Sequence, residues 1–372
     1  MSSTHTYDIR PGDWQKELNQ LIHANAHGHA RKDKVVSMAT IKKRADILFQ
    51  SFRQLRELGY KLQSVRNLRQ RHIEALFKHW ENQGLSPSTL QTRHSVLGTF
   101  LVWVDKPGTI PPLCDLVSNP ESIKRVYRAE TDKSWSASSI DPEELLQRIE
   151  KEDKRVAIQL ELLREFGLRV KEAAMFKPND SISIDGKSLM LKRGTKGGRI
   201  RFVPVETESQ RAVLKKAKEL AGNGDNHIGI RNKTLKQNLR HFRHVLEKHG
   251  VTKAELGVTP HGLRHEYANN RFEELSGGYK TPVRGGVKDE IPADLEKRVR
   301  YKVSEELGHS RIYITTAYYG SHRRPVCRTA CKSDQVSGVI RTRSCCRCVA
   351  ETMPVCSLRF SCGDESRQAV PV

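Results

Sequence analysis

No run of apolar residues in this chain approaches the roughly 20 positions that a membrane-spanning helix needs. Phe100-Leu101-Val102-Trp103-Val104 is among the longest. Met1 to His5 opens no secretory h-region, so a soluble cytoplasmic protein is expected. Cysteine is nearly missing from the first 326 residues, where Cys114 stands alone, and a disulfide scaffold is excluded there. Acidic residues are outnumbered, 43 Asp and Glu against 65 Lys and Arg, leaving a net charge of +22. Solubility needs nothing so basic, and a polyanion, nucleic acid first of all, is the partner such a surface implies. Nor is there a tight carboxylate cluster of the kind a metal-dependent nuclease requires.

What is present fits a mainly α chain with a small antiparallel sheet. Its 372 residues suffice for two domains of ordinary size. Between Thr40 and Gly59, Ile41, Ala45, Leu48, Phe52 and Leu55 recur at helical spacing, with Lys42, Lys43, Arg44, Arg53 and Arg56 on other faces. A second helix runs from Arg69 to Gln83. A third opens with Ser86 as N-cap and Pro87 at the first position, burying Leu90, Leu97, Leu101 and Val104. Glu130 to Ser139 reads as a linker. Beyond it come helices over Asp141–Glu150 and Lys154–Phe166, then three short strands: Ser181–Ile184, Ser188–Lys192 and Ile200–Pro204. Helices resume over Glu208–Ala221, Lys233–Lys248 and His261–Leu275, and Gly277 to Pro292 reads as a loop. The expected organisation is a basic helical domain (1–133), a second domain of helices and a small sheet (134–323) and a Cys-rich tail (324–372).

Each polar candidate has a bland explanation when taken alone. Arg169 follows a helix-ending glycine and caps a turn; Lys196 is a solvated hairpin lysine; His261 begins a helix; Arg264-His265 is helix surface. Their order changes the reading. The chain offers GLRVKE, GTKGGRIRFVP, HGLRH and LGHSR in succession, with Tyr318 nine places past His309. Over about 141–320 this resembles the tyrosine recombinases, the phage-integrase family.

The resemblance implies a catalytic set of Arg169, Lys196, His261, Arg264, His309 and Tyr318, working without metal or cofactor. Two arginines offer fixed, forked donors to the charge that builds on a phosphodiester under attack. Lys196 is the implied proton donor to the departing 5′ oxygen, His261 an acid/base partner and His309 a donor to phosphate. A phenol, with an ordinary pKa of about 10, becomes a serviceable nucleophile among cations. Family spacing selects Tyr318, with Tyr319 the alternative; Tyr313 is expected to pack in the core. Glu172 is expected to orient basic side chains. The implied activity is site-specific cutting and rejoining of double-stranded DNA through a 3′-phosphotyrosyl ester, by a homotetramer on two attachment sites. A type IB topoisomerase uses similar residues, and a DNA-binding protein that has lost the reaction would keep the fold.

Two segments depart from the family pattern. Residues 277–298 look longer than the usual connection and are either a surface insertion or a DNA-contacting loop bearing Lys280, Arg284 and Lys288. After 323 come seven cysteines; Cys327, Cys331, Cys345 and Cys348 have a spacing compatible with zinc, while the scarcity of large apolar residues favours an unordered tail.

Overall fold

A computed structural model of the chain describes residues 13–29, 32–138, 140–224 and 226–322. The expectations for the tail, zinc or disorder, lie outside the described residues. Among those residues no helix is long and apolar enough to cross a membrane.

The apolar core falls into two clusters. The first is built from α1 (Trp14–Asn25), α2 (Met38–Glu57), α3 (Gln70–Asn82) and α4 (Pro87–Trp103), around Leu18, Leu48, Phe52, Phe77, Trp80 and Phe100. Capping residues set the helix starts: the Ser37 hydroxyl accepts from Thr40 N before α2, and Pro87 occupies the first turn of α4. Arg44 departs from the expected cationic face of α2. Its guanidinium turns inward and donates to the carbonyls of Ala26 and Gly28, both at 2.8 Å, beside a short hairpin, β1 (Gly28–His29) and β2 (Lys32–Val35), in a segment where no strand was expected.

The second cluster runs from Trp135 to Tyr319. Its framework is α5 (Pro142–Glu152), α6 (Lys154–Phe166), α9 (Glu208–Ala221), α10 (Leu235–Lys248), α11 (Pro260–Ser276) and α12 (Ala293–Glu306). Short helices α7 (Val170–Ala174), α8 (Pro178–Ser181) and α13 (Thr316–Tyr319) fill the corners. Asp153 caps α6, and Thr207 with Gln210 and Thr234 with Gln237 close capping boxes on α9 and α10. The sheet has two strands, β3 (Ser188–Leu191) and β4 (Arg201–Pro204), paired Ser188 to Pro204 through Leu191 to Arg201. The expected third strand shrinks to a single bridge between Ile182 and Leu189, because Pro178 starts a helical turn that carries the chain to Ser181.

Helix α12 begins inside the segment read as an insertion, which is therefore a loop over Gly277–Pro292 followed by the first turns of a packed helix. The expected linker is also partly core: Trp135 is fully buried and its indole N–H donates to the Thr259 carbonyl at 2.7 Å.

Candidate functional site

Helix α6 ends at Gly167, whose φ of 58° reverses the chain where a Cβ would fall 2.5 Å from the Tyr267 ring. Arg169 is the residue before α7. The buried Glu172 carboxylate accepts from the Arg169 backbone N at 2.8 Å and from its Nη1 at 2.6 Å, so the arginine is held at both ends. Glu172 also accepts from Nη2 of Arg201 at 2.7 Å. Burial alone would raise its pKa, but Arg201 and then Arg169 outweigh burial and keep it below the ordinary carboxylate range.

Arg264 projects from α11 into the protein and has no solvent exposure. Its Nη1 donates to the Gly167 carbonyl, its Nη2 to the Leu307 carbonyl at 2.6 Å and its Nε to the Tyr318 hydroxyl at 3.1 Å. Arg169 Nη2 reaches the same Leu307 carbonyl at 3.3 Å, which sets the two guanidinium groups side by side. Burial pushes Arg264 down to about 10, and the group stays protonated at neutral pH. The helix-surface reading of Arg264-His265 is thus overturned, since both side chains are buried.

Three histidines surround the phenol. Ring centroids of His265, His309 and His261 lie 4.7, 5.7 and 6.0 Å from that of Tyr318. His309 Nε2 is 3.4 Å from both the Tyr318 oxygen and Arg264 Nη2, longer than an ordinary hydrogen bond of about 2.9 Å. Burial, then the nearby Arg264 and Arg169, lowers His309 to about 3. Burial lowers His265 to about 3, with His261 and Lys133 adding to it. The His261 ring keeps an open edge, yet close packing and the charges of Arg264, Arg169 and Lys133 lower it to about 4. All three are neutral at neutral pH.

Tyr318 and Tyr319 share α13 but face different surroundings. Tyr318 points its hydroxyl at Arg264 and His309; Tyr319 packs its ring on Phe272 at 5.1 Å, beneath the Arg300 guanidinium. The Tyr319 hydroxyl is buried without a hydrogen-bond partner, and burial raises its pKa well above the ordinary phenol value. Tyr313 was expected in the core. It is exposed instead and accepts a hydrogen bond from Arg311, because the turn Ile312–Thr315 carries it to the surface.

Lys196 sits exposed at the tip between β3 and β4, in the turn Lys196–Gly198. The structure gathers Arg169, His261, Arg264, His309 and Tyr318 into one site and leaves Lys196 at its edge, where its charge contributes to lowering His309. Arg201 is the residue that motif reading missed. On β4 it shares the inward face with Val203, a position where a buried arginine demands a carboxylate. It donates to Glu172, to the Glu306 carbonyl and, at 3.4 Å, to the Gly167 carbonyl, tying the hairpin to the arginine pair. Among the described residues no group of three or more His, Cys, Asp or Glu is placed to hold a metal ion.

Two family patterns match the chain: "Phage integrase, N-terminal" over residues 22–107 and "Integrase" over residues 122–270. The second contains Arg169, Lys196, His261 and Arg264, while His309 and Tyr318 lie past its end. Tyrosine recombinase XerC of Xanthomonas campestris pv. campestris is 26% identical over 245 residues, 63% of this chain and 65% of its own length. The chain thus spans just under two thirds of that relative. A lambda integrase dimer bound to a COC′ core site superposes with a TM-score of 0.54 at 14% identity, covering 84% of this chain and 79% of that one. A lambda integrase tetramer bound to a Holliday junction gives a TM-score of 0.53 at 16% identity, covering 80% and 77%. The fold is that of the integrases. With both family patterns in place, the chain belongs to the tyrosine recombinase, or phage integrase, family.

Proposed function

We propose that the protein is a site-specific DNA strand transferase acting in the cytoplasm, and that Tyr318 is its nucleophile. The carrying observation is the 3.1 Å contact between the Tyr318 hydroxyl and Nε of Arg264. Arg264 and Arg169 hold the scissile phosphate, with their forked donors opposing the charge that grows on its non-bridging oxygens. The phenolic oxygen passes its proton to the neutral His261, attacks phosphorus and bonds to it; the bond to the 5′ oxygen breaks, and that oxygen takes a proton from Lys196. His309, neutral, donates a hydrogen bond to the phosphate, and the proton held by His261 returns to the phenol when the ester is resolved. The 3′-phosphotyrosyl ester preserves the bond, so a 5′ hydroxyl from the partner strand restores a phosphodiester by the reverse path, with no external energy source.

Two separate apolar clusters, one either side of residues 124–134, support a two-domain clamp with the core-binding domain over 1–133 and the catalytic domain over 134–323. The net charge of +22 supplies its affinity for duplex DNA. The tetramer seen for lambda integrase on a Holliday junction is the assembly we propose for the exchange of four strands. The test is a nicked attachment-site duplex from which the cleaved 5′ end diffuses away, trapping any covalent adduct. A denaturation-resistant adduct on Tyr318 is expected. DNA binding with no adduct would make the chain a DNA-binding protein of integrase fold.

A further inference from the structure

Helix α13 is a single turn of four residues with no side-chain cap, too short to hold itself in place. Its position is set from outside, by two segments far apart in sequence. On one side the Ala129 N–H donates to the Thr316 carbonyl at 2.9 Å, and Arg128 reaches the Ser321 carbonyl at 3.5 Å. On the other, the turn Pro282–Arg284 packs against Gly320. A Cβ added there would fall 3.0 Å from both the Ala129 carbonyl and the Val283 methyl. The two segments are fastened to each other by Arg284, which donates through Nε to Asp132 at 2.8 Å, through Nη2 to the Ser134 hydroxyl at 3.2 Å and through Nη1 to Asn270 and Glu273 at 2.7 and 3.2 Å. Asp132 is itself oriented by the Ser134 N–H and hydroxyl, at 2.9 and 2.6 Å.

This arrangement takes Arg284 out of the basic surface that the loop presents. Arg284, with 17% exposure, is turned inward onto protein partners, whereas Lys280 and Lys288 face solvent. Thr281 anchors the loop through a buried 2.7 Å bond to Asn269, and Gly286 closes it by donating to the Thr281 carbonyl at 3.0 Å. We infer that Arg284 is a positioning residue for Tyr318: by clasping Asp132 it closes a strap of residues 128–134 and 281–286 around α13. The nucleophile's placement thereby depends on the segment that joins the two cores. An arginine is suited to this because its planar fork serves four partners at once, which an ammonium group cannot do in that geometry.

The inference rests on Tyr318 being the nucleophile. The full chain is tested on the nicked attachment-site duplex, with the single-turnover rate of adduct formation and the DNA dissociation constant measured separately. Arg284→Ala is expected to slow the adduct by about tenfold to a hundredfold, the scale of a small misplacement of reacting groups, with the dissociation constant within about twofold of wild type. Arg284→Lys recovers little. Asp132→Asn, which retains an acceptor for Ser134, shows the same split between rate and affinity and guards against a folding defect in Arg284→Ala; the double variant is no slower than the worse single one. Lys288→Ala, on the same loop, leaves the rate unchanged. A wild-type rate in Arg284→Ala beside an inactive Tyr318→Phe would overturn the strap alone. So would equal losses of rate and affinity, which mark a DNA contact. Adduct formation by Tyr318→Phe would overturn the nucleophile assignment and the strap together.

Discussion

Arg264 donates to the Tyr318 hydroxyl at 3.1 Å, while the hydroxyl of its neighbour, Tyr319, is buried with no partner. A single residue step around the helix therefore separates a phenol held against a cationic donor from a phenol that is merely part of the core. Tyr318→Phe should abolish the covalent adduct with DNA binding intact, since only the attacking oxygen is lost. Tyr319→Phe should keep the adduct and gain about 1 kcal/mol of stability by deleting an unsatisfied hydroxyl. Gel-resolved adducts and urea midpoints for the two variants check both halves. Loss of the adduct in Tyr319→Phe alone would reverse the assignment.

Lys196 stands exposed on the hairpin tip, outside direct contact with the phenol. A proton donor to a leaving group has to reach that group, and Lys196 stands exposed on a turn with Gly197 and Gly198 beside it. Lys196→Ala is expected to slow cleavage of an ordinary phosphodiester strongly and to cleave a 5′-bridging phosphorothioate at close to the wild-type rate, because the sulfur departs without protonation. Equal slowing on the two substrates would remove Lys196 from the acid role.

Motif order carried the reading of Arg169, Arg264, His309 and Tyr318, and helical periodicity carried α2 to α4, because both are local properties of the chain. What stayed hidden was set by contacts between distant residues. Arg201 reads as one more surface cation until β4 pairs with β3 and turns it toward Glu172, 29 positions earlier. Helix α12 was obscured by its own polarity: only Val299, Val303, Ser304 and Glu306 are buried along it, too sparse a stripe to register as amphipathic. Tyr313 looks like core by composition and is exposed because a tight turn ends just before α13.

Glu172 is the counter-charge for Arg169 and Arg201 inside the protein. Removing it as Glu172→Ala strands two guanidinium groups, and a loss of about 3–5 kcal/mol is expected. Because its folded pKa lies below the ordinary 4.5, its stabilisation is fully present above that pH and fades as pH falls through the folded value. Wild-type stability should therefore drop on acidification below about pH 4.5, and Glu172→Gln, which keeps the acceptor and lacks the charge, should drop less over the same window. Urea denaturation across that range measures the two slopes. Parallel slopes would mean that other carboxylates account for the acid sensitivity.

The joint between the two cores gives a further prediction about where the chain can be divided. Cutting at 133/134, as composition suggests, removes Ala129 and Asp132 from the second core. The Thr316 carbonyl and the Arg284 guanidinium then each lose a partner, although Trp135 and its bond to Thr259 survive. A fragment of residues 124–323 keeps all of these contacts and leaves behind the first cluster, whose last member is Ile123. The longer fragment is therefore expected to be more stable than 134–323 by about 1–3 kcal/mol, the range for abandoning a partly buried hydrogen bond and ion pair. It should also cleave the nicked duplex faster, since its α13 remains strapped. Both fragments should bind DNA more weakly than the whole chain, having lost the tethered core-binding domain. Equal stability and equal cleavage in the two fragments would show that residues 124–133 are a passive tether, and that the tyrosine turn is held by the catalytic core alone.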